Sequence, residues 1–161
     1  MGVLLCVVCF GAVEGGQYFY VKSVMTDAAR EGCRNGIAAY STGSSTAGSP
    51  PQGSASSINS VIIDQLLDAK LIPTGTTATS SAPNWVIGNF TVSFYDVPSL
   101  TGTATQISDP NGNMTVGDGL VVQITANWNV VGANFRGMGL IGSSSSPHTI
   151  TVSCMMRKEA L

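Results

Sequence analysis

A chain of 161 residues has room for one domain, with at most a terminal appendage. Only 10% of it is charged, the net charge is −2 and the pI is about 5.1, which removes any electrostatic case for binding nucleic acid. One histidine, His148, leaves histidine-dependent chemistry a single candidate, and the many Gly, Ser, Thr and Asn residues suit an extracytoplasmic or filament-forming chain better than a cytosolic enzyme.

Residues 3–13, VLLCVVCFGAV, carry no charge. As a helix this run rises about 16 Å, well short of the roughly 30 Å hydrocarbon core of a bilayer. A secretory signal would show a basic start and a small-x-small cleavage site, but no Lys or Arg precedes the run and Glu14 follows it. Cys6 and Cys9 form a Cys-x-x-Cys pair among Val and Leu. Metal binding and redox work need polar or cationic surroundings that lower the thiol pKa, so these two read as small apolar helix residues.

The helical pattern continues. From Gln17 to Ala39 there is no Pro, and Tyr18, Val21, Val24/Met25, Ala28/Ala29 and Ile37 recur at helical spacing, while Lys22, Asp27, Arg30, Glu31 and Arg34 supply the polar side. Asp27–Arg30 is an attractive helical neighbour pair and Arg30–Arg34 a repulsive one. Gly15–Gly16 marks a soft point for a bend. Unbroken from residue 3 to 39, the helix spans roughly 55 Å. An element of that length cannot bury itself in so small a chain, so its first half is expected to project.

Phe10, Gly11, Glu14, Gly16, Ala28, Ala29, Arg30, Glu31, Gly32 and Arg34 fall on a spaced pattern, and the chain ends in CMMRKEAL. This pattern resembles the start of TadE-like proteins, the pseudopilins of tight-adherence (Tad, type IVc) pilus systems, and the ending is similar to the M-R-x-E close common in them. The family's longer apolar segment starts with a basic leader, a processing site and an early Glu. The expectation is therefore a natural start upstream of Met1. The resemblance implies a pilin-like α+β fold: a long N-terminal amphipathic or transmembrane helix packed on a small antiparallel sheet. It implies a non-enzymatic subunit with no cofactor, acting in pilus assembly, surface adhesion and biofilm formation. Its partners would be other pilin or pseudopilin subunits, the pilus assembly machinery and the membrane, in a homo- or hetero-polymer. Val7, Val8, Phe10, Glu14, Tyr18, Arg30, Glu31 and Arg34 are the expected assembly-helix residues, the charged ones setting register. Glu14 has two readings: it sits at headgroup level where the apolar segment ends, or it pairs with a cation on a neighbouring subunit. The resemblance puts the head outside the cell, although Lys22, Arg30 and Arg34 follow the apolar run, an order that the positive-inside rule associates with a cytoplasmic head.

The expected organisation is an assembly helix over 1–40, a Ser/Gly/Pro linker or loop over 41–57, and an α+β head over 58–161 with three to four strands. STGSSTAGSPPQGSASS is the linker, without a Gly-x-Ser-x-Gly nucleophile motif. A second helix follows, capped by Ser57 or Ser60, with Ile58, Val61/Ile62, Leu66 and Ala69 on one face and Pro73 as its stop. Three strands are expected. The first, over about 85–96, has Trp85, Ile87, Val92 and Phe94 as apolar positions and an offset at Gly88. In the second, Leu120, Val122, Ile124, Ala126 and Trp128 alternate with Val121, Gln123, Thr125 and Asn127. In the third, Ile150, Val152, Cys154 and Met156 alternate with Thr149, Thr151, Ser153 and Met155. Such alternation gives a sheet with one wet face and one packed on the long helix.

Other features carry little chemistry. Asp109, Asn111 and Asn113 alternate as in a calcium loop, but Met114 and Leu120 stand where that loop needs Gly and Glu, and Asp-Pro-Asn-Gly is itself a turn signal. His148 lacks a motif-flagged nucleophile and acid. The segment 129–146 is either a loop over the core or a subunit-contact patch. Cys33 and Cys154 can form a disulfide if the last strand packs on the first helix, in an oxidising compartment. The competing function is a membrane-anchored module whose polar sheet face binds a glycan or cell-wall polymer; such a module would keep its ligand after removal of residues 1–36.

Overall fold

The computed structural model describes residues 2–38, 53–100, 102–115, 117–128 and 149–157. Helix α1 runs from Gly2 to Ala38 as one element of 37 residues, uninterrupted at Gly15 and Gly16. Helix α2 spans Ala55–Asp68. Strands β1 (Ala78–Ser81), β2 (Asn84–Ile87), β3 (Phe90–Val97), β4 (Thr105–Ile107), β5 (Gly119–Asn127) and β6 (Thr149–Arg157) follow, with a single helical turn, α3 (Pro110–Asn113), between β4 and β5.

The strands form one antiparallel six-stranded sheet, wider than the three to four strands expected. β3 pairs with β5 along its full length, and β5 with β6. The other edge of β3 is shared: β2 pairs with its first part (Ile87↔Phe90, Trp85↔Val92) and β4 with its second (Phe94↔Ile107, Asp96↔Thr105). β1 lies outside β2. The single strand expected over 85–96 is thus a hairpin. Gly88 has φ +58°, the left-handed backbone that a II′ turn asks of its first central residue, and the Gly88–Asn89 turn folds Ile87 back beside Phe90. Because the turn is two residues long, the apolar alternation resumes on the same face after it.

That face is the core. Across β3, β5 and β6 the rows are Phe90–Ala126–Ile150, Val92–Ile124–Val152 and Phe94–Val122–Cys154, and α1 lies on them with Met25, Ala28, Ala29 and Cys33 fully buried. The expected alternations hold from Leu120 to Asn127 in β5 and from Thr149 to Met156 in β6, while Trp128 falls just past the end of β5. On the opposite face the polar side chains bond one another: Ser93 Oγ donates to Asn84 Oδ1 at 2.7 Å, Gln106 Nε2 donates to the same oxygen, and Tyr95 Oη donates to Gln123 Oε1 at 3.3 Å.

α2 adds Ile58, Ile62 and Leu66 to the core. Its cap is Ser54, earlier than expected, whose Oγ accepts from Ser57 N at 3.2 Å. It ends at Asp68, before Pro73 is reached. Lys70, at φ +56°, donates to Leu67 O and Leu71 donates to Leu66 O, the two bonds of a Schellman stop.

Two glycines let α1 sit close to its neighbours. A Cβ on Gly32 would stand 3.2 Å from Ile62 Cδ1, and one on Gly36 would run into Leu120 and stand 3.0 Å from Ile58 Cδ1. Gly36→Leu is therefore expected to lower stability by about 2–3 kcal/mol through overpacking. The check is a urea midpoint; an unchanged value would mean that this end of α1 does not seat between α2 and β5.

Candidate functional site

Burial divides α1 into two halves with different roles. From Val21 onward its inner stripe (Val21, Met25, Ala28, Ala29, Gly32, Cys33, Gly36) is buried in the head. Before Tyr18 the helix leaves the head, and among the described residues of this first part Leu5 is 65% exposed and Val8 61%, while Phe19 beside the neck is 71% exposed. By helical spacing, Leu5, Val8, Ala12, Gly16 and Phe19 share one stripe. Continued along the helix, that stripe passes through Ser23, Asp27, Arg30 and Arg34, all exposed. The outer side of the rod is thus apolar where it projects and charged where it crosses the head.

An aromatic neck marks the point of departure. Tyr18 meets Trp128 edge to face, with centroids 5.5 Å apart, and Tyr20 Oη donates to Ala69 O, just past the end of α2, at 3.2 Å. Phe19, between them, turns away from the head, because successive helical residues point about 100° apart. Tyr18 was named from the sequence as an assembly-helix residue, and the fold sets it against Trp128; the neck was not foreseen, although the run Tyr18-Phe19-Tyr20 was the available signal. Val7 and Phe10 belong to α1, and their side chains lie outside the described residues.

Glu14 is exposed, with no ion pair among the described residues. It sits four residues before Tyr18 and seven before Val21, on the head-facing stripe and one turn beyond the head. Arg30 lies 3.8 Å from Asp27, as the spacing predicted, and Arg34 lies 3.6 Å from Glu31. Asp27, Arg30 and Arg34 are exposed and Glu31 is half-buried, so these pairs add little stability. Asp27, Arg30 and Arg34 offer charge on the outer stripe.

Cys33 and Cys154 meet as free thiols where α1 crosses β6, with Cys33 Sγ donating to Cys154 O at 3.0 Å. Burial, helped by the adjacent Cys154 thiol, pushes the Cys33 pKa far above its ordinary 9.0. In the reduced protein the folded state keeps a proton that the unfolded chain releases above that value. Stability should therefore fall as pH rises past 9.0, by about 1.4 kcal/mol per unit from this group. Urea titrations of wild type and Cys33→Ala at pH values on either side of that point test this: the wild type should lose stability more steeply, and parallel losses would refute it.

The alternating acid and amides at 109–113 serve the backbone. Asp109 caps α3: its Oδ1 accepts from Asn111 N at 3.1 Å and from Ala55 N, at the start of α2, at 3.0 Å, while Asn113 Nδ2 donates to Asp109 O at 2.8 Å. One carboxylate thus serves two helix starts. Asp118, which drew no attention in the sequence, is buried and accepts from Ser99 N at 3.1 Å and Thr115 N at 2.9 Å. Among the described residues no three His, Cys, Asp or Glu side chains gather to hold a metal ion. His148 and the segment 129–146 lie outside the described residues, as does the linker up to residue 52.

α1 is long, but its uncharged run ends at Glu14, and among the described residues no helix is long and apolar enough to cross a membrane. No curated protein and no solved structure matches the chain. Residues 1–34, which hold the projecting stripe, the tyrosines of the neck and most of the buried stripe, match the family model of TadE-like proteins, a family associated with Tad pili.

Proposed function

We propose that the chain is a pilin-like structural subunit of a Tad pilus or a related surface filament. Its projecting half-helix packs beside the corresponding helices of other subunits, and the head faces outward from the membrane. The observation that carries this reading is the contrast within α1. One half of a single helix is fully used in the head's core, while the other leaves Leu5, Val8 and Phe19 uncovered. Apolar surface of this kind marks a contact site. Covering a few hundred Å² of it yields several kcal/mol at about 25 cal/mol per Å². The match of residues 1–34 supports the same class of partner. Glu14 and the Arg30, Glu31 and Arg34 charges set the stagger between neighbours, since exposed charges steer register more than they add affinity.

The test is co-assembly. Wild-type subunits should appear in sheared surface filaments, and a charge placed on the projecting stripe should remove them. The alternative, a tethered glycan-binding module, would retain ligand affinity without the projecting segment. The deletion of residues 1–36 that would have tested it also removes Met25, Ala28, Ala29 and Cys33 from the core, so the informative truncation ends before Tyr18.

A further inference from the structure

We propose that Cys33 and Cys154 become joined as a disulfide when the folded chain meets a small-molecule disulfide oxidant, fastening the assembly helix to the last strand. This inference is independent of the filament reading. The two residues are 121 apart in sequence, and the fold brings the Cys33 sulfur to 3.0 Å from the Cys154 carbonyl. Cys33 belongs to the inner stripe of α1, and Cys154 to the inward row of β6, opposite Val122 and in register with Phe94 across β5. Gly32 and Gly36, on either side of Cys33, let α1 close on Ile58 and Ile62 of α2 and on Leu120 of β5, the strand beside β6. The contact of the Cys33 sulfur with the Cys154 backbone is itself the close approach of helix to strand that a cross-link of fixed short span requires.

The other cysteines cannot substitute. Cys6 and Cys9 are exposed on the projecting half. Cys9 lies 24 positions before Cys33 on the same unbroken helix, about 36 Å away along its axis, so it reaches neither Cys33 nor its neighbour in β6 within one chain.

The chemistry balances as two exchanges. The half-buried Cys154 loses its proton to solvent and its sulfur attacks one sulfur of the oxidant, forming a mixed disulfide and expelling the first oxidant thiolate, which takes up a proton. Cys33 then gives up its proton and attacks the Cys154 sulfur, forming the Cys33–Cys154 bond and expelling the second oxidant thiolate, which is also protonated. Two protein thiols are oxidised and one small disulfide is reduced to two thiols. Because Cys33 is shut away from solvent and holds its proton tightly, the second exchange is slow in the folded chain and quickens as pH rises. The same enclosure shields the product from reductants.

The reduced full-length wild-type chain is incubated with oxidised glutathione at mildly alkaline pH, its remaining thiols are alkylated, and it is digested with trypsin without reductant. The expected result is a species linking peptides 31–34 and 137–157, with an intact mass lower by about 2 Da at that pair. The thermal midpoint should also rise by about 10 °C and return on reduction, as expected for a cross-link closing so long a loop. A variant with Cys6→Ser and Cys9→Ser should keep both signals, and Cys33→Ser should lose both. Recovery of peptides 31–34 and 137–157 fully alkylated or carrying glutathione would overturn the proposal. So would a link found only between chains, or a midpoint that falls on oxidation.

Discussion

Val8→Asp is expected to remove the subunit from surface filaments while leaving the head's thermal midpoint where it was. Val8 is 61% exposed on the projecting half of α1 and touches nothing in the head's core. Val and Asp have similar helix propensities, so the folded monomer should change by less than about 0.5 kcal/mol. Between packed helices the same carboxylate would be buried without a partner, at a cost of several kcal/mol. At 1.4 kcal/mol per tenfold, the association constant should drop by at least about a hundredfold. Filament content of the sheared surface fraction, read beside a melting curve of the purified chain, separates the two effects. Ser56→Asp, the same charge on an exposed position of α2, is the control and should assemble normally. Filaments carrying Val8→Asp at wild-type level would remove the projecting stripe from the assembly mechanism.

Phe94→Ala should do the reverse and strike the head first. Phe94 is fully buried, between Ile107 of β4 and Val122 of β5, on the face that α1 covers. Loss of a buried phenyl ring costs about 3–5 kcal/mol, transfer and cavity together. Against a total stability of about 5–15 kcal/mol for a domain, that is enough to populate unfolded chains at physiological temperature. The measurement is equilibrium urea unfolding followed by tryptophan fluorescence, which Trp85 reports from the sheet. A loss below about 1 kcal/mol would mean that the row Phe94–Val122–Cys154 is not the centre of the core.

The sequence announced the parts of this fold whose apolar residues repeat with a clear period. β5 and β6 alternate strictly because one side of each faces α1, and α1 repeats at three and four because half of it is clamped between sheet and α2. The hairpin at Gly88 was visible only as an offset, since a two-residue turn returns the chain to the same face without breaking the apolar rhythm. β1 and β4 escaped altogether. Ala78-Thr-Ser-Ser81 is short and largely wet and Thr105-Gln-Ile107 is shorter still, and backbone pairing to a neighbour, which no side-chain pattern encodes, is what makes them strands. The same limit applied to the site. Its greasy half-helix could be read directly, whereas the neck could not, because Tyr18 and Trp128 are 110 positions apart and only the fold makes them neighbours. Asp109 stands among turn residues as a calcium ligand would, and only the fold reveals the two helix starts that its carboxylate caps.

Because α1 is a single piece, anchored through four of its turns and free beyond Tyr18, tension applied at its tip reaches the head along the helix axis. Met25, Ala29, Cys33 and Gly36 are seated side-on against strands and a second helix, so the rod must slide past several contacts at once before it comes loose. Such a joint resists in shear, and its strength grows with the number of turns engaged, as a dowel holds better the deeper it is driven.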